Sequence, residues 1–322
     1  MSSISPIPKK ILIFGATGVI GKYITQALID NKSKFEKIGI FTSQSTVDNK
    51  KEEIERLKSE GLDVIVGDIR NEGDVVKAYE GYDTVVSALS RSTITFQTQL
   101  LGLAERSSTI TSFYPSEYGT DITYSPITSP HEKPHQDKLH VRAYIKSSIS
   151  KLRITYLVTG PYSDVYMGLP LGEGGKAGGF NVKEKKAVLL GSGDDEVSFT
   201  TMADVGKLLV ASLNTPFVAS GDSSPNVRLL KVNSFTTTPH RILAEFEKQT
   251  GGEKWSTQYT PLDELKNFEK LAWEKGDPRA TGVTLRRIWT EGGTLYEQRD
   301  NVKIGDPETE GLEEQVGKLV RK

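Results

Sequence analysis

The segment SPHEKPHQDKLHVRAYI (129–145) gathers three of the chain's four histidines, Glu132 and Lys138 into one short span. His131, Glu132 and His135 spell HEKPH, which fits the letters of HExxH. In that motif a helix presents two histidines, one turn apart, to zinc, and the glutamate acts as base. Pro134 stands against it. Inside a helix it would lack the N–H owed to Pro130, and its ring would clash there, at a cost of about 3 kcal/mol. Lys133, just ahead of the proline, is pushed toward extended backbone. His131 and His135 are therefore not expected one helical turn apart, and no metal is predicted. Pro134 instead reads as an early residue of a helix carrying Lys138, Val141, Tyr144, Ile145 and Ile149, a spacing that buries one face. The segment then positions the ammonium group of Lys138 at the edge of that face. His135 and His140 remain candidates for substrate contact.

The second reactive pattern is GATGVIG, with Gly15, Gly18 and Gly21 between an apolar run and a helical one. Gly15 permits a tight turn, Gly18 lets backbone approach a pyrophosphate, and Gly21 lets helix and strand pack closely. The helix N-terminus offers free N–H groups and a positive dipole end to phosphates. Dinucleotide binding is the expectation, with Thr17, Val19 and Ile20 in the same loop. NAD selectors carry an acid at the end of the second strand. Here IFTSQS has none, and Thr42, Ser43 and Ser45 are followed by Lys50 and Lys51. The missing acid favours NADPH, with Thr42, Ser43 and Lys51 near its 2′-phosphate. Ala88 and the stretch Gly160, Pro161 and Tyr162 are the further expected cofactor contacts, together with Lys138.

These groups need a frame. KKILIFGA (9–16), KIGIFT (37–42), LDVIVGD (62–68), DTVVSAL (83–89), STITSFYPS (108–116) and ITYLVTG (154–160) read as strands. Helices are expected over 18–30, 49–61 and near 95–106. This alternation predicts an α/β fold, a Rossmann-type doubly wound parallel sheet with its site beyond the carboxyl ends of the strands. Residues 1–160 form the expected NAD(P)-binding domain. Residues 161–322 form a smaller C-terminal α/β substrate lobe, partly woven back onto the first domain. There 187–193 and 228–233 read as isolated strands, and 239–250, 262–274 and 308–319 as helices. Trp255, Trp273 and Trp289 either line an aromatic pocket or fill core.

Composition narrows the partners. The 322 residues carry 26% charged side chains and a net charge of -1, which excludes a broad basic surface for nucleic acid. No run of about 18 apolar residues is present, so no membrane span is expected. MSSISPIPKK lacks the apolar core of a secretion signal, and a cytoplasmic location is the default. Cysteine is absent, which removes disulfides, thiolate zinc sites and a cysteine nucleophile. A monomer or homodimer is expected.

With GATGVIG, FYPSEYG (113–119) and Lys138 in view, the chain resembles the isoflavone reductase-like / NmrA-like family of atypical short-chain dehydrogenases. The resemblance implies NADP binding and reduction of a small, largely apolar, aromatic or conjugated metabolite. DKLHVRAYI resembles the helix start that carries the family's active-site lysine, which puts that role on Lys138. STVDNKK resembles the family's segment after the second strand, but Thr42 and Ser43 stand where an arginine is usual. GSGDDEVSFTTMADVGKLL (191–209) resembles a later stretch in which Asp204 is expected to cap a helix. Two other readings stay open. One is a non-catalytic NAD(P)-sensing regulator, and the other an NADP-dependent enzyme catalysing a non-redox rearrangement. The Tyr-x-x-x-Lys pair of typical short-chain dehydrogenases is missing, since none of the twelve tyrosines has lysine four residues on. Ser116 and Glu117 are expected to cap and brace the loop after the fifth strand, with Pro115 fixing its geometry.

Overall fold

A computed structural model describes residues 6–124, 130–169, 175–220, 226–296 and 298–321. β1 (Lys10–Phe14) is the run KILIF, buried from Ile11 onward as a central parallel strand requires. It feeds the glycine turn and α1 (Gly21–Asp30). β2 (Lys37–Thr42), α2 (Gln44–Asn49), α3 (Lys51–Ser59) and β3 (Asp63–Val66) follow. The single helix expected over 49–61 is thus two. Ser43 caps an earlier start, and Lys50 leaves helical geometry between them, at φ -127° and ψ 40°. Next come α4 (Glu72–Tyr79), β4 (Thr84–Ser87), α5 (Gln97–Arg106), β5 (Ser112–Tyr114), α6 (Lys133–Ser148) and β6 (Arg153–Val158).

The second half holds α7 (Ser163–Gly168), β7 (Gly179–Asn181), β8 (Lys186–Leu190), β9 (Val197–Phe199), α8 (Met202–Leu213), β10 (Val227–Lys231) and β11 (Phe235–Thr237). It ends with α9 (Pro239–Gln249), β12 (Ser256–Thr260), α10 (Leu262–Glu274), α11 (Ala280–Thr290) and α12 (Leu312–Val320). β10 is not the isolated strand expected at 228–233. It pairs in parallel with β6 and closes the seven-stranded sheet, in the order β10-β6-β5-β4-β1-β2-β3. Its alternating burial is that of an edge strand, which a continuous apolar run would have hidden.

The sheet is a doubly wound Rossmann-type α/β layer. Alternate residues of β1 serve opposite faces. Ile11 and Ile13 pack with Ile24, Leu28, Val205 and Leu209 beneath α1 and α8. Leu12 and Phe14 pack with Val75, Leu101, Val141 and Ile145 beneath α4, α5 and α6. The chain runs outward one way through β2 and β3 and the other way through β4, β5 and β6. The switch point lies between β1 and β4.

A third core holds Tyr166, Phe199, Phe246, Trp255 and Trp289, joined by α12 and the strands of two small sheets. Trp255 and Trp289 are core, while Trp273 is half-buried and donates its Nε1–H to Thr284. Asp204 does not cap α8. Thr201 does, accepting from the Asp204 N–H at 3.1 Å. The buried Asp204 carboxylate instead accepts from Ser234 Oγ and the Glu310 N–H, tying the C-terminal segment down. Among the described residues no helix is long and apolar enough to cross a membrane.

Candidate functional site

The glycine turn sits at the switch point and has no room for side chains. Gly15 is left-handed at φ +81°, and a Cβ there would stand 2.4 Å from the Ala88 carbonyl oxygen. The carboxyl ends of β1 and β4 therefore meet as bare backbone. A Cβ on Gly21 would fall 1.9 Å from the Gly15 carbonyl oxygen, and one on Gly18 3.1 Å from it. The Gly18 N–H closes the turn onto that same carbonyl at 3.0 Å. Val19 is 70% exposed at the crest, and Ile20 precedes α1. No side chain caps α1 and its first turn carries no acid, so its positive dipole end is open to an anion, although the Lys22 and Tyr23 N–H groups already donate to the Gly18 and Ile20 carbonyls. This cradle fits a pyrophosphate.

Beside it, β2 ends at Thr42 without an acid, and Ser43 accepts from the Thr46 N–H as the cap of α2. Lys50, rather than the expected Lys51, lies against the loop. Its Nζ donates to the Thr17 carbonyl at 2.5 Å from an exposed side chain at the break between α2 and α3. Lys51 begins α3 on the exposed side.

α6 starts at Lys133 with Pro134 in its first turn, where a missing N–H costs nothing. Glu132 is the cap. One carboxylate oxygen accepts the His135 N–H at 2.9 Å, and the other pairs with Arg91 from the loop after β4. The helix start is thus tied to the strand end beside the glycine turn. His131 lies outside the helix, exposed, with its ring 5.6 Å from that of Trp273. His135 is buried inside it, and burial, then Lys138 and Arg91, bring its pKa down to about 3. The two histidines do not share a helical face. His140 is exposed.

Lys138 is half-buried as a whole, but its ammonium end is desolvated against the Gly119 backbone. A Cβ on Gly119 would stand 3.9 Å from its Nζ. Among the described residues Lys138 makes no hydrogen bond or ion pair. Burial lowers its pKa, with Arg142 and Arg91 adding to the effect and Glu117 opposing it.

Glu117 is already engaged. Arg142, one helical turn beyond Lys138, holds it through two contacts of 3.0 and 2.9 Å and stacks on Tyr156. Arg142 also approaches Asp121 at 4.0 Å, and Asp121 pairs with Lys231 at 2.7 Å. Ser116 braces the same loop, donating Oγ–H to the Leu89 carbonyl while its N–H donates to Gln97.

The ends of β5 and β6 are laced together. The Gly119 carbonyl accepts the N–H groups of Thr159 and Gly160, and Tyr162 donates its hydroxyl to the Tyr118 carbonyl at 2.6 Å. The Pro161 carbonyl accepts the Thr200 N–H. Gly15, Ala88, Lys138 and Gly160–Tyr162 thereby lie along the consecutive strand ends β1, β4, β5 and β6. Among the described residues, the hydroxyls of Tyr118 and Thr159 are buried there without a partner.

The model of the NmrA-like family matches residues 8–275. The chain belongs to that family. Among curated relatives, an isoflavone reductase of Pisum sativum is 25% identical over 270 residues, which is 81% of each chain. The oxidoreductase aprR of Aspergillus flavus is 28% identical over 284 residues, 86% of this chain and 84% of its own. A solved binary complex of leucoanthocyanidin reductase with NADPH, from Vitis vinifera, superposes with a TM-score of 0.77 at 19% identity. It covers 97% of this chain and 100% of that one. AtPrR2 with NADP+ and (+)pinoresinol gives 0.79 at 21% identity, covering 98% of this chain and 100% of that one.

Sequence reasoning missed Arg91, Glu132, Arg142, Asp121, Lys231 and the part of Lys50. One signal was available. Lys138 and Arg142 are four residues apart on a helix, so two cations share one face and call for an acid across from them. The pairing of Arg91 with Glu132, 41 residues apart, had no such signal.

Proposed function

We propose that this protein is an NADPH-dependent reductase of a small, largely apolar, aromatic or conjugated metabolite. The observation that carries the reading is Lys138, a desolvated ammonium without an ion-pair partner among the described residues, held beside the strand ends that border the glycine turn. A purely structural lysine gains nothing from such a place, since desolvation disfavours its charge. The names of the relatives and the NADPH and NADP+ complexes of the structural neighbours support the same reading.

The glycine cradle and the N-terminus of α1 would hold the pyrophosphate of NADPH. Thr42 and Ser43, with Lys50 behind them, would receive the 2′-phosphate where an acid would repel it. Bound there, the reduced nicotinamide would supply hydride to an electron-poor carbon. Lys138 is the group that answers the charge developing on substrate oxygen. Its lowered pKa makes it a readier proton donor than an ordinary lysine, and its ammonium stabilises an oxyanion in a water-poor site. Glu117 is neutralised by Arg142 and leaves that ammonium unclaimed.

The test is turnover of NADPH with a panel of conjugated aromatic ketones, enones and ethers. Lys138→Met should lower kcat by about 10²–10⁴-fold while calorimetric NADPH affinity changes little. NADPH should bind more tightly than NADH. A Lys138→Met protein with full turnover would remove the assignment. NADPH binding without turnover on any member of the panel would favour the sensing regulator.

A further inference from the structure

A cavity of about 440 Å³ opens between α1, α7, α8 and α12. None of the residues assigned to the glycine turn or to the Lys138 site lines it. Tyr23 of α1 and Leu319 of α12 give it apolar wall, and Asp164, Glu310, Lys318 and Arg321 bring charges of both signs. Its volume falls within the range of small-molecule sites.

Gln315, on the same wall, is 1% exposed, and its Oε1 is buried without a hydrogen-bond partner. Among the described residues its side-chain amide makes no hydrogen bond at all. Gln249, which packs against the same helix, shows the ordinary state of such a group. Its Nε2 donates to Glu245 at 2.7 Å and to the Glu313 carbonyl at 2.9 Å. Buried amides are normally paired, and an unpaired one is costly. The terminal torsion of glutamine is roughly two-fold, so either end of the amide can be turned to the cavity.

The charges of the wall are unequally used. Lys318 pairs with Glu310 at 2.5 Å. Asp164 accepts the Met202 N–H at 2.8 Å with one oxygen, and among the described residues its other oxygen has no partner. Arg321, exposed at the end of α12, has no ion pair among the described residues. Asp164 and Arg321 thus line one cavity without meeting each other.

We propose that this cavity binds a zwitterionic α-amino acid with an apolar side chain. Its ammonium group pairs with Asp164 and the Gln315 carbonyl, its carboxylate with Arg321, and its side chain lies against Tyr23 and Leu319. A simple cation would leave Arg321 unanswered, and a simple anion would meet Asp164. A guanidinium suits the carboxylate because its planar N–H groups match the two oxygens. The inference does not depend on the reductase reading.

L-phenylalanine is the probe, titrated calorimetrically beside hydrocinnamate, which lacks the ammonium group, and phenethylamine, which lacks the carboxylate. Wild-type protein should bind the amino acid about ten-fold or more tightly than either, the worth of one charge-assisted hydrogen bond. Asp164→Asn keeps an acceptor for Met202 and should cancel the preference over hydrocinnamate. Arg321→Met should cancel the preference over phenethylamine. Gln315→Leu should weaken L-phenylalanine about ten-fold while its unfolding midpoint holds or rises, since an unpaired buried amide gives way to an apolar group. Saturating NADP+ should not displace the amino acid. No binding of L-phenylalanine, equal binding of the three probes, displacement by NADP+, or full affinity in Gln315→Leu would overturn the proposal.

Discussion

Arg142→Met removes the guanidinium that holds Glu117. The two side chains are 12% and 1% exposed and meet at 2.9 Å. A surface pair of the same geometry would contribute about 0–1 kcal/mol. Truncating one member of a buried pair instead leaves an uncompensated charge, at about 3–5 kcal/mol. Lys138 is close enough to neutralise part of it, so a loss near the lower bound, about 3 kcal/mol, is expected. Urea unfolding at neutral pH measures it, provided the denaturant slope is unchanged. Adding Glu117→Gln should recover most of the loss, because the stranded charge is gone. A loss under about 1 kcal/mol in the single variant, or no recovery in the double, would refute this account of the network. The same change has a functional reading. Freed of Arg142, Glu117 would raise the pKa of Lys138, and the basic limb of the pH–activity profile should move to higher pH.

Burial keeps His135 neutral, with a pKa of about 3 against an ordinary 6.5. Between those values the unfolded chain takes up a proton that the folded chain refuses. The stability is therefore full above pH 6.5 and is lost progressively as pH falls toward 3. His135→Gln should flatten that decline in thermal scans taken on both sides of pH 6.5, and an unaltered slope would show that other groups set it. Gly21→Ala puts a methyl group 1.9 Å from the Gly15 carbonyl oxygen, so the turn must open. It should cost about 1–3 kcal/mol of stability and abolish NADPH binding in calorimetry. Unchanged affinity would mean that this turn does not hold the pyrophosphate.

The centre of the large sheet was legible because its strands are buried on both faces and read as apolar runs, as in KILIF before Gly15. β10 was misplaced for the opposite reason. An edge strand with alternating burial looks the same whether it joins a large sheet or a small one. Pro134 was enough to reject HEKPH as a helical metal motif, since its consequence is local. Lys138 and the glycine loop were legible because strand-to-helix turns and helix starts are sequence-local. The charges that tune Lys138 from elsewhere were not, because Arg91 follows β4 and Glu117 follows β5, and they meet the helix only in the folded chain. Lys50 and Lys51 differ by one residue, and it is Lys50, at the break between α2 and α3, that reaches the glycine loop.

Hydride transfer itself is the central claim, and isotope transfer reads it directly. NADPH carrying deuterium on the reduced ring carbon is incubated with the protein and conjugated aromatic acceptors, and the products are weighed by mass spectrometry. The account predicts deuterium on carbon in the product, in proportion to NADPH consumed, and its loss in Lys138→Met. Product formed without the label would contradict it in favour of a non-redox rearrangement, and NADPH bound but never consumed would contradict it in favour of a sensor.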